Sequence, residues 1–371
     1  MKGAPALAFV LLSGLFIAPG LRAEDWPMFL KNPAHTAISE KAPQPPLSLK
    51  WKFSTKGPVY SSPAISKNKL YIGSYDKSLY ALDASTGAEL WAFKTDGEVF
   101  STPAVSNDTV FFGSKDKNVY AVDARTGKLV WKYATEGSVV TSPVVAEGNV
   151  FIASKDLYLY ALSASDGKRV WKMKLTDYEK YSGVYASPAY ADGSVFSAGK
   201  NGSIYSVQAK SGGRNWSVRT DSAIYSSPVV REGTLYIVSL NRTLYAVNTQ
   251  TGKISWKKNL EQEMVYAAPA VTKDKIYVAF KNGHIKSYNR VGGAETSDFT
   301  LPGEINSTPV VANNGFLYVG CEDGNVYAVD TRTGAIAWRF TTDGGVHSSP
   351  AVLDNALYIG SKDGGVYAFA P

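Results

Sequence analysis

The feature that most constrains this chain is an internal repeat of about forty residues that continues to the C-terminus. The segment KLYIGSYDKSLYALDASTGAELWAFKT at 69–95 and the segment TVFFGSKDKNVYAVDARTGKLVWKYAT at 109–135 show it most clearly. A repeat of this length indicates that each unit is one supersecondary element that buries its apolar face against its neighbours. The 371 residues therefore predict one repetitive assembly rather than two or three unrelated domains.

Three anchor positions define the units. The first is a tryptophan, with Phe299 in the one remaining slot: Trp51, Trp91, Trp131, Trp171, Trp216, Trp256 and Trp338. The second is a proline preceded by a small residue: Pro63, Pro103, Pro143, Pro188, Pro228, Pro269, Pro309 and Pro350. The third is a tyrosine: Tyr80, Tyr120, Tyr160, Tyr205, Tyr245, Tyr288, Tyr327 and Tyr367. Each anchor occurs eight times, which predicts eight units.

Each unit has the pattern of four short β-strands. In the first unit we expect strands at Val59–Ile65, Leu70–Gly73, Leu79–Asp83 and Glu89–Lys94, rich in β-branched and aromatic residues and bounded by turn residues. No helical period follows the N-terminal apolar segment, which argues against a helical solenoid. Four-stranded units at this spacing are typical of β-propeller blades.

The phase of the repeat predicts how the ring closes. The segment Leu47–Thr55 carries Trp51 and reads as a fourth strand with no strands before it. The C-terminus supplies three strands, at His347–Ala351, Ala356–Gly360 and Gly365–Phe369, and ends before a fourth. We therefore predict an all-β, eight-bladed propeller, monomeric, in which an N-terminal strand completes the C-terminal blade and removes an exposed edge.

The N-terminus has the composition of an export signal. Lys2 precedes the apolar run Ala6–Ala18, and Leu21-Arg22-Ala23 forms an imperfect cleavage site. We expect a signal peptide at 1–23, with an uncleaved anchor as the alternative. No cysteine follows the apolar run, so lipid attachment is not expected. The mature chain would be periplasmic or secreted, without a transmembrane segment.

Composition excludes several kinds of site. Cys321 is the only cysteine, which excludes an intrachain disulfide framework, a cysteine-rich zinc site and an iron–sulfur cluster. The three histidines, His35, His284 and His347, are too far apart for an HExxH motif. Net charge is +7, or +5 without residues 1–23, and no basic cluster occurs. Dedicated nucleic-acid binding is therefore not expected.

The segment Ala81–Trp91 resembles the AxDxxTGxxxW docking motif of pyrroloquinoline-quinone-type (PQQ-like) repeats. Ala121–Trp131 and Ala328–Trp338 resemble it as well, and Asp25–Phe29 resembles the lead-in of many secreted members. The resemblance implies a propeller domain at 47–371 after a lead-in at 24–46. It also implies that the tryptophans are structural, with each ring packed on the neighbouring blade beside a glycine.

The resemblance leaves more than one function open. PQQ-dependent dehydrogenases of the alcohol-oxidising type carry an adjacent cysteine pair, a calcium site and substrate-chamber insertions. This chain has one cysteine and no such insertions, so we expect neither PQQ nor calcium and no catalytic or metal-binding residues. It is closer to non-catalytic, BamB-like envelope members. We expect a protein-binding scaffold of the cell envelope, with a PQQ-dependent dehydrogenase or a carbohydrate-binding or envelope-polymer-binding propeller as alternatives.

Three sets of residues are candidate binding elements. Residues three positions before each blade proline would surround one mouth of the central channel, or would pack between blades: Tyr60, Phe100, Val140, Tyr185, Tyr225, Tyr266, Asn306 and His347. Five extra residues in the loop 174–183 suggest a partner loop, or a neutral insertion, at Asp177, Tyr178, Glu179, Lys180 and Tyr181.

The third set would form a basic ring on the same face: Lys115, Lys155, Lys200, Lys281 and Lys362. Tyr75, Leu240 and Glu322 interrupt it, and solvation of the turns is the alternative explanation for the lysines.

Overall fold

The computed structural model describes residues 25–176, 183–261 and 264–371. The expected signal peptide at 1–23 and the candidate partner loop from Asp177 to Tyr181 lie outside these residues. Every regular element within the described ranges is a β-strand. No helix in this part of the chain is long and apolar enough to cross a membrane.

The strands of the first half of the chain are β1 (Ile38–Ser39), β2 (Ser48–Ser54), β3 (Ala64–Ser66), β4 (Lys69–Ser74), β5 (Ser78–Asp83), β6 (Glu89–Lys94), β7 (Ala104–Ser106), β8 (Thr109–Gly113), β9 (Asn118–Asp123), β10 (Leu129–Ala134), β11 (Val144–Ala146), β12 (Asn149–Ala153), β13 (Tyr158–Ser163) and β14 (Arg169–Lys174). The second half contains β15 (Ala189–Ala191), β16 (Ser194–Ala198), β17 (Ser203–Gln208), β18 (Arg214–Arg219), β19 (Val229–Arg231), β20 (Thr234–Ser239), β21 (Thr243–Asn248), β22 (Ile254–Asn259), β23 (Ala270–Val271), β24 (Lys275–Ala279), β25 (His284–Asn289), β26 (Glu295–Thr300), β27 (Val310–Ala312), β28 (Phe316–Gly320), β29 (Asn325–Asp330), β30 (Ile336–Thr341), β31 (Ala351–Leu353), β32 (Ala356–Gly360) and β33 (Gly365–Ala370).

These strands form eight antiparallel blades around a central channel, which confirms the predicted eight-bladed propeller. Blades 1 to 7 each take four consecutive strands, starting with β3–β6 and ending with β27–β30. Blade 8 consists of β31–β33 and β2, and β2 pairs antiparallel with β33, with Lys52 opposite Tyr367. The predicted closure by an N-terminal strand is therefore confirmed. The short β1 adds in parallel to β27 at the inner edge of blade 7.

The innermost strands are shorter and begin later than predicted. The expected strand at Val59–Ile65 is only β3, and the expected strand at His347–Ala351 is β31. The backbone before these strands bonds to other blades: the Val59 amide donates to the Ser361 carbonyl at 3.0 Å. Pro63 has no amide hydrogen, so a regular ladder cannot run through it. The channel-facing residues before each proline are therefore loop residues fixed by neighbouring blades.

A belt of side-chain hydroxyls joins the blades around the channel. The hydroxyl of the residue before each blade proline accepts a hydrogen bond from the backbone amide of the equivalent residue one blade earlier, at 2.9–3.1 Å. We call this set the hydroxyl belt: Ser62, Thr102, Ser142, Ser187, Ser227, Thr308 and Ser349. The Ser349 amide donates to Ser62 and so links the last blade to the first. The belt explains why a small residue precedes each proline.

The belt has one gap, at Ala268, and filling it should stabilise the ring. Ala268 is buried and has no hydroxyl to accept from the Ser227 amide. We expect Ala268→Ser to raise the free energy of unfolding by about 1 kcal/mol, the usual net contribution of one hydrogen bond. Chemical denaturation would measure it. Ser187→Ala is the matched control, since it removes an existing link, and should destabilise the protein by about 1–3 kcal/mol. A less stable Ala268→Ser variant would contradict the role assigned to the belt.

The docking tryptophans fasten the outer parts of adjacent blades. The Trp51 indole donates to the Ala84 carbonyl of blade 1 at 3.1 Å, and its ring covers Gly87. Gly87 has φ of 75°, and a Cβ there would lie 2.6 Å from the Trp51 ring. The same packing on a positive-φ glycine recurs for Trp91, Trp131, Trp171, Trp216 and Trp256. Trp338 donates to the Leu47 carbonyl at 2.7 Å, which ties blade 7 to blade 8.

Blade 6 departs from the anchor assignment made from sequence. In the ladder, Lys286 and Ser297 hold the positions that Tyr245 and Trp256 hold in blade 5, so Tyr288 and Phe299 lie two residues beyond the anchor slots. The Phe299 ring still packs on Gly334 in place of a tryptophan. Lys286 forms ion pairs with Glu295 at 3.1 Å and Asp298 at 3.4 Å. The aromatic anchors of this blade are therefore replaced by an ion cluster and a phenylalanine from a shifted position.

Candidate binding site at the channel mouth

The lead-in closes one end of the channel. Residues 25–40, which we call the plug, cross the far ends of the innermost strands. Trp26 forms an antiparallel bridge with Ile65 of blade 1. Carbonyls of the plug accept backbone bonds from further blades at 2.7–3.1 Å: Pro27 from Val105, Pro33 from Tyr190, Ala34 from Val230 and Ala37 from Val311. The side chains of Trp26, Met28, Leu30 and Ala37 are buried.

His35 fastens the plug to blade 5. Its side chain is 1% exposed, and its Nδ1 donates to the Pro228 carbonyl at 3.1 Å. The ring also packs edge-to-face on Phe29, with centroids 5.4 Å apart. Burial lowers the pKa of His35 from 6.5 to about 4, although the hydrogen bond to Pro228 opposes that shift. The plug is therefore held by a neutral imidazole at pH 7.

This histidine should make the protein less stable in mild acid. The unfolded chain protonates His35 near pH 6.5, whereas the folded chain does so only near pH 4, so its contribution is complete above pH 6.5 and falls as pH drops towards 4. The loss should be on the order of 3 kcal/mol. His35 has φ of 62°, a conformation that asparagine tolerates, so His35→Asn is a suitable control.

We expect melting temperatures measured from pH 7 to pH 4.5 to fall less steeply for His35→Asn than for the natural chain. Equal slopes would show that His35 does not cause the acid sensitivity.

The open end of the channel leads into a cavity of about 490 Å³. All eight residues predicted to surround the mouth line it: Tyr60, Phe100, Val140, Tyr185, Tyr225, Tyr266, Asn306 and His347. The hydroxyl belt lies deeper in the cavity wall, and Phe29 of the plug also contributes to the lining. We call this cavity the funnel. The structure thus brings the predicted residues together, and their role in binding remains a prediction.

The aromatic residues of the funnel form two groups. In the first, Tyr60 contacts Tyr75 at 4.5 Å, Phe100 at 5.9 Å and His347 at 5.4 Å between ring centroids. The second group contains Tyr185, Tyr225 and Tyr266. Tyr225 lies 5.1 Å from Tyr185 and 5.7 Å from Tyr266. Val140 and Asn306 occupy the intervening blades. The rings therefore pack on one another while still lining the open cavity.

The lysines predicted to form a basic ring lie beside these aromatic groups. Lys115 stands 4.2 Å from the Tyr75 centroid, and Lys155 and Lys200 lie 4.7 Å and 4.8 Å from that of Tyr185. These are cation–π distances. Tyr75, which interrupts the lysine pattern in sequence, packs its ring against Tyr60 and Phe100 of the funnel wall. Sequence reasoning missed this role because it treated the turn position and the mouth position separately.

Glu322, a second interruption of the lysine pattern, organises one arc of the rim. Its carboxylate accepts from His347 at 3.2 Å, from Lys362 at 2.7 Å and from Asn306 at 2.9 Å. Burial alone would raise the pKa of Glu322, but these hydrogen bonds outweigh it and lower the pKa to about 2. Lys281 pairs with Glu304 at 3.7 Å. The charges on this arc are therefore compensated.

The opposite arc carries three lysines that have no ion-pair partner among the described residues. Among the described residues, no carboxylate lies within ion-pair distance of Lys115, Lys155 or Lys200. These lysines belong to the turns of blades 2, 3 and 4. In the part of the chain that the structure describes, the rim therefore has a side with unpaired lysines and a side with paired ones, and the funnel below it has aromatic walls. Such a site suits an apolar or planar group attached to negative charge.

The titratable groups do not match the quinone–calcium centre of the alcohol-oxidising enzymes. Within the described ranges, no three His, Cys, Asp or Glu side chains are grouped to hold a metal ion. The carboxylates of Glu304 and Glu322 at the mouth are engaged by lysines. Burial raises the pKa of the Cys321 thiol to about 12, which disfavours the thiolate. The residues present therefore do not fit calcium-assisted quinone chemistry.

The family described as "Beta-alanine-activating enzyme, beta-propeller" matches residues 46–323, well over half of the chain. The chain belongs to this β-propeller family. The family of the outer membrane protein assembly factor BamB matches residues 281–371. Together these matches confirm a PQQ-like repeat propeller. A search of curated proteins finds no significant match.

Solved structures with this fold include an outer membrane protein assembly factor and dehydrogenases. BamB from Moraxella catarrhalis is 19% identical with a TM-score of 0.77, covering 88% of this chain and all of that one. Quinohemoprotein alcohol dehydrogenase from Comamonas testosteroni is 15% identical with a TM-score of 0.80, covering 95% and 81%. A europium-containing methanol dehydrogenase is also 15% identical with a TM-score of 0.80, covering 94% and 98%. At these identities the likeness concerns the fold alone.

Proposed function

We propose that this family member is an exported, non-catalytic propeller of the cell envelope that binds a partner protein through the funnel. The observation that carries the proposal is a cavity closed at one end by the plug, walled by aromatic rings and bordered on one side by lysines that have no ion-pair partner among the described residues. Its volume of about 490 Å³ suits a single inserted group. The similarity to BamB, an outer membrane protein assembly factor, supports a place in the envelope.

Binding is favoured over catalysis by the state of the polar groups in the funnel. A catalytic site needs titratable groups left free to exchange protons or attack a substrate. Here Glu322 is held by three donors, and Glu304 by Lys281. The belt hydroxyls accept backbone hydrogen bonds, which fixes their geometry. The similarity to quinoprotein dehydrogenases supports the alternative only at the level of fold.

A capture experiment with matched variants tests this function. The purified protein is cross-linked to envelope extract, and the captured proteins are identified by mass spectrometry. We expect a specific protein whose capture falls at least fivefold for Tyr185→Ala, which removes an exposed ring of the funnel. Tyr158→Ala is the control, because Tyr158 lies on β13 outside the funnel. This variant should capture the partner protein as well as the natural chain does.

Two results would overturn the proposal. One is equal capture by both variants and the natural chain, which would place the partner surface elsewhere. The other is dye-linked alcohol oxidation after addition of quinone and calcium, which would make the protein an enzyme.

A further inference from the structure

The plug determines what kind of ligand the funnel can hold. The plug crosses the channel at its far end. Trp26, Pro33 and Ala37 each form a backbone hydrogen bond with the innermost strand of a different blade. Phe29 of the same segment lines the cavity. A polymer therefore cannot thread through the ring. The ligand must enter and leave by one mouth, and only a protruding group of it can occupy the interior.

The inner wall favours an apolar group. Below the rim lie aromatic rings, Val140, Ala267 and the hydroxyl belt. Each belt hydroxyl already accepts one backbone amide, so apart from its single O–H donor the deeper wall offers a ligand mainly aromatic and aliphatic surface. An aromatic side chain meets this requirement, because rings gain from stacking and edge contacts with Tyr185, Tyr225 and Tyr266.

The rim favours negative charge on one side only. Lys115, Lys155 and Lys200 have no carboxylate partner among the described residues, whereas Lys281 and Lys362 pair with Glu304 and Glu322. The uncompensated ammonium groups are held over tyrosine rings at 4.2–4.8 Å, so their positions are defined before a ligand arrives. Acidic residues flanking an inserted side chain would lie at this height.

From these observations we propose that the funnel binds an acidic peptide segment that inserts one aromatic side chain and places its carboxylates on Lys115, Lys155 and Lys200. The proposal rests on the proposed function and specifies the chemistry of the partner. The aromatic walls hold the inserted ring, and the lysines select the acidic flanks. The compensated arc at Glu322 offers acidic groups no free lysine to pair with, so the difference between the two arcs orients the segment across the mouth.

The test uses a fluorescein-labelled peptide of sequence Asp-Glu-Phe-Glu-Asp, blocked at both ends, and measures binding by fluorescence anisotropy with the full-length protein. We expect saturable binding that weakens with salt. Replacing the peptide's phenylalanine by alanine, or its acids by their amides, should weaken binding at least tenfold. A blocked peptide with lysine in place of each acid should not bind.

Matched variants of the rim separate local charge from general charge. The double variant Lys155→Gln/Lys200→Gln should weaken binding at least tenfold. Lys281→Gln removes a paired rim lysine and should change it less than threefold, and unchanged melting temperatures would show that both proteins are folded. If the double variant and Lys281→Gln weaken peptide binding equally, the proposed orientation is wrong. If no acidic peptide binds to the natural chain, the proposal itself is wrong.

Tighter binding of an oligosaccharide of uronic acids than of the peptide would also overturn the proposal of a peptide ligand. If the peptide fails while capture of an envelope protein still depends on Tyr185, the proposed function stands and only this choice of ligand is wrong.

Discussion

Deleting residues 24–55 is expected to prevent the ring from closing. The deletion removes β2, so β33 loses its partner strand and the last blade keeps an exposed edge. It also removes the Trp51 ring from Gly87 and Tyr358, and the Phe53 ring from Tyr80, 5.4 Å away. Losses of this kind cost about 3–5 kcal/mol for each large ring, which is comparable with the stability of a whole domain. We therefore expect no cooperative thermal transition, together with concentration-dependent aggregation.

A shorter deletion, of residues 24–46, is the control for this experiment. It removes the plug and keeps β2, so the blades should still close, with reduced stability and a channel open at both ends. Differential scanning calorimetry and light scattering distinguish the two proteins. If the longer deletion melts as cooperatively as the shorter one, the strand exchange at blade 8 contributes little to the fold.

Trp26→Ala is expected to lower the free energy of unfolding by about 3–5 kcal/mol. The Trp26 side chain is 2% exposed and packs with residues of blades 1 and 8, including Leu47 and Ile65. Removing it leaves a cavity in the apolar cluster that Trp26 shares with residues of blades 1 and 8. The backbone bridge to Ile65 does not depend on the side chain, so the plug should remain in place but be held less firmly.

Urea denaturation measures this effect, and Trp26→Phe is the conservative comparison. The phenylalanine variant retains much of the buried area and should lose clearly less stability than the alanine variant. Similar small losses in both variants, below about 1 kcal/mol, would contradict the view that Trp26 anchors the plug. Peptide binding measured on the same proteins would then show whether a loosened plug alters the funnel.

The repeat made most of the fold predictable. The anchors recur at nearly constant spacing because each blade must present the same contacts to the next, and the Trp51–Gly87 contact is one example. The anchor assignment was wrong in blade 6, because Lys286 and Ser297 occupy the positions expected for the tyrosine and the tryptophan. The constant distance from the blade proline would have assigned these two slots correctly. Residue identity was a weaker guide there than spacing.

The candidate site was predictable in outline only. Tyr60 and its equivalents share one distance from a proline, so the symmetry of the ring brings them to one mouth. The plug was not predictable, because residues 25–40 do not repeat and their contacts depend on the ends of several distant strands. The sequence also did not predict that the rim lysines differ in pairing, because this depends on which of them form ion pairs with Glu304 and Glu322 in the folded ring.

The pairing of β2 with β33 has a consequence for how the chain folds. The two strands lie at opposite ends of the sequence, so the N-terminal strand has no partner until the last residues are present. Each blade can form from local hairpins, whereas closure requires contact between the most distant segments and is therefore slow. During that interval an unpaired strand and an open sheet edge are exposed to other chains. A chain that crosses a membrane unfolded would complete its ring only after its final strand had emerged.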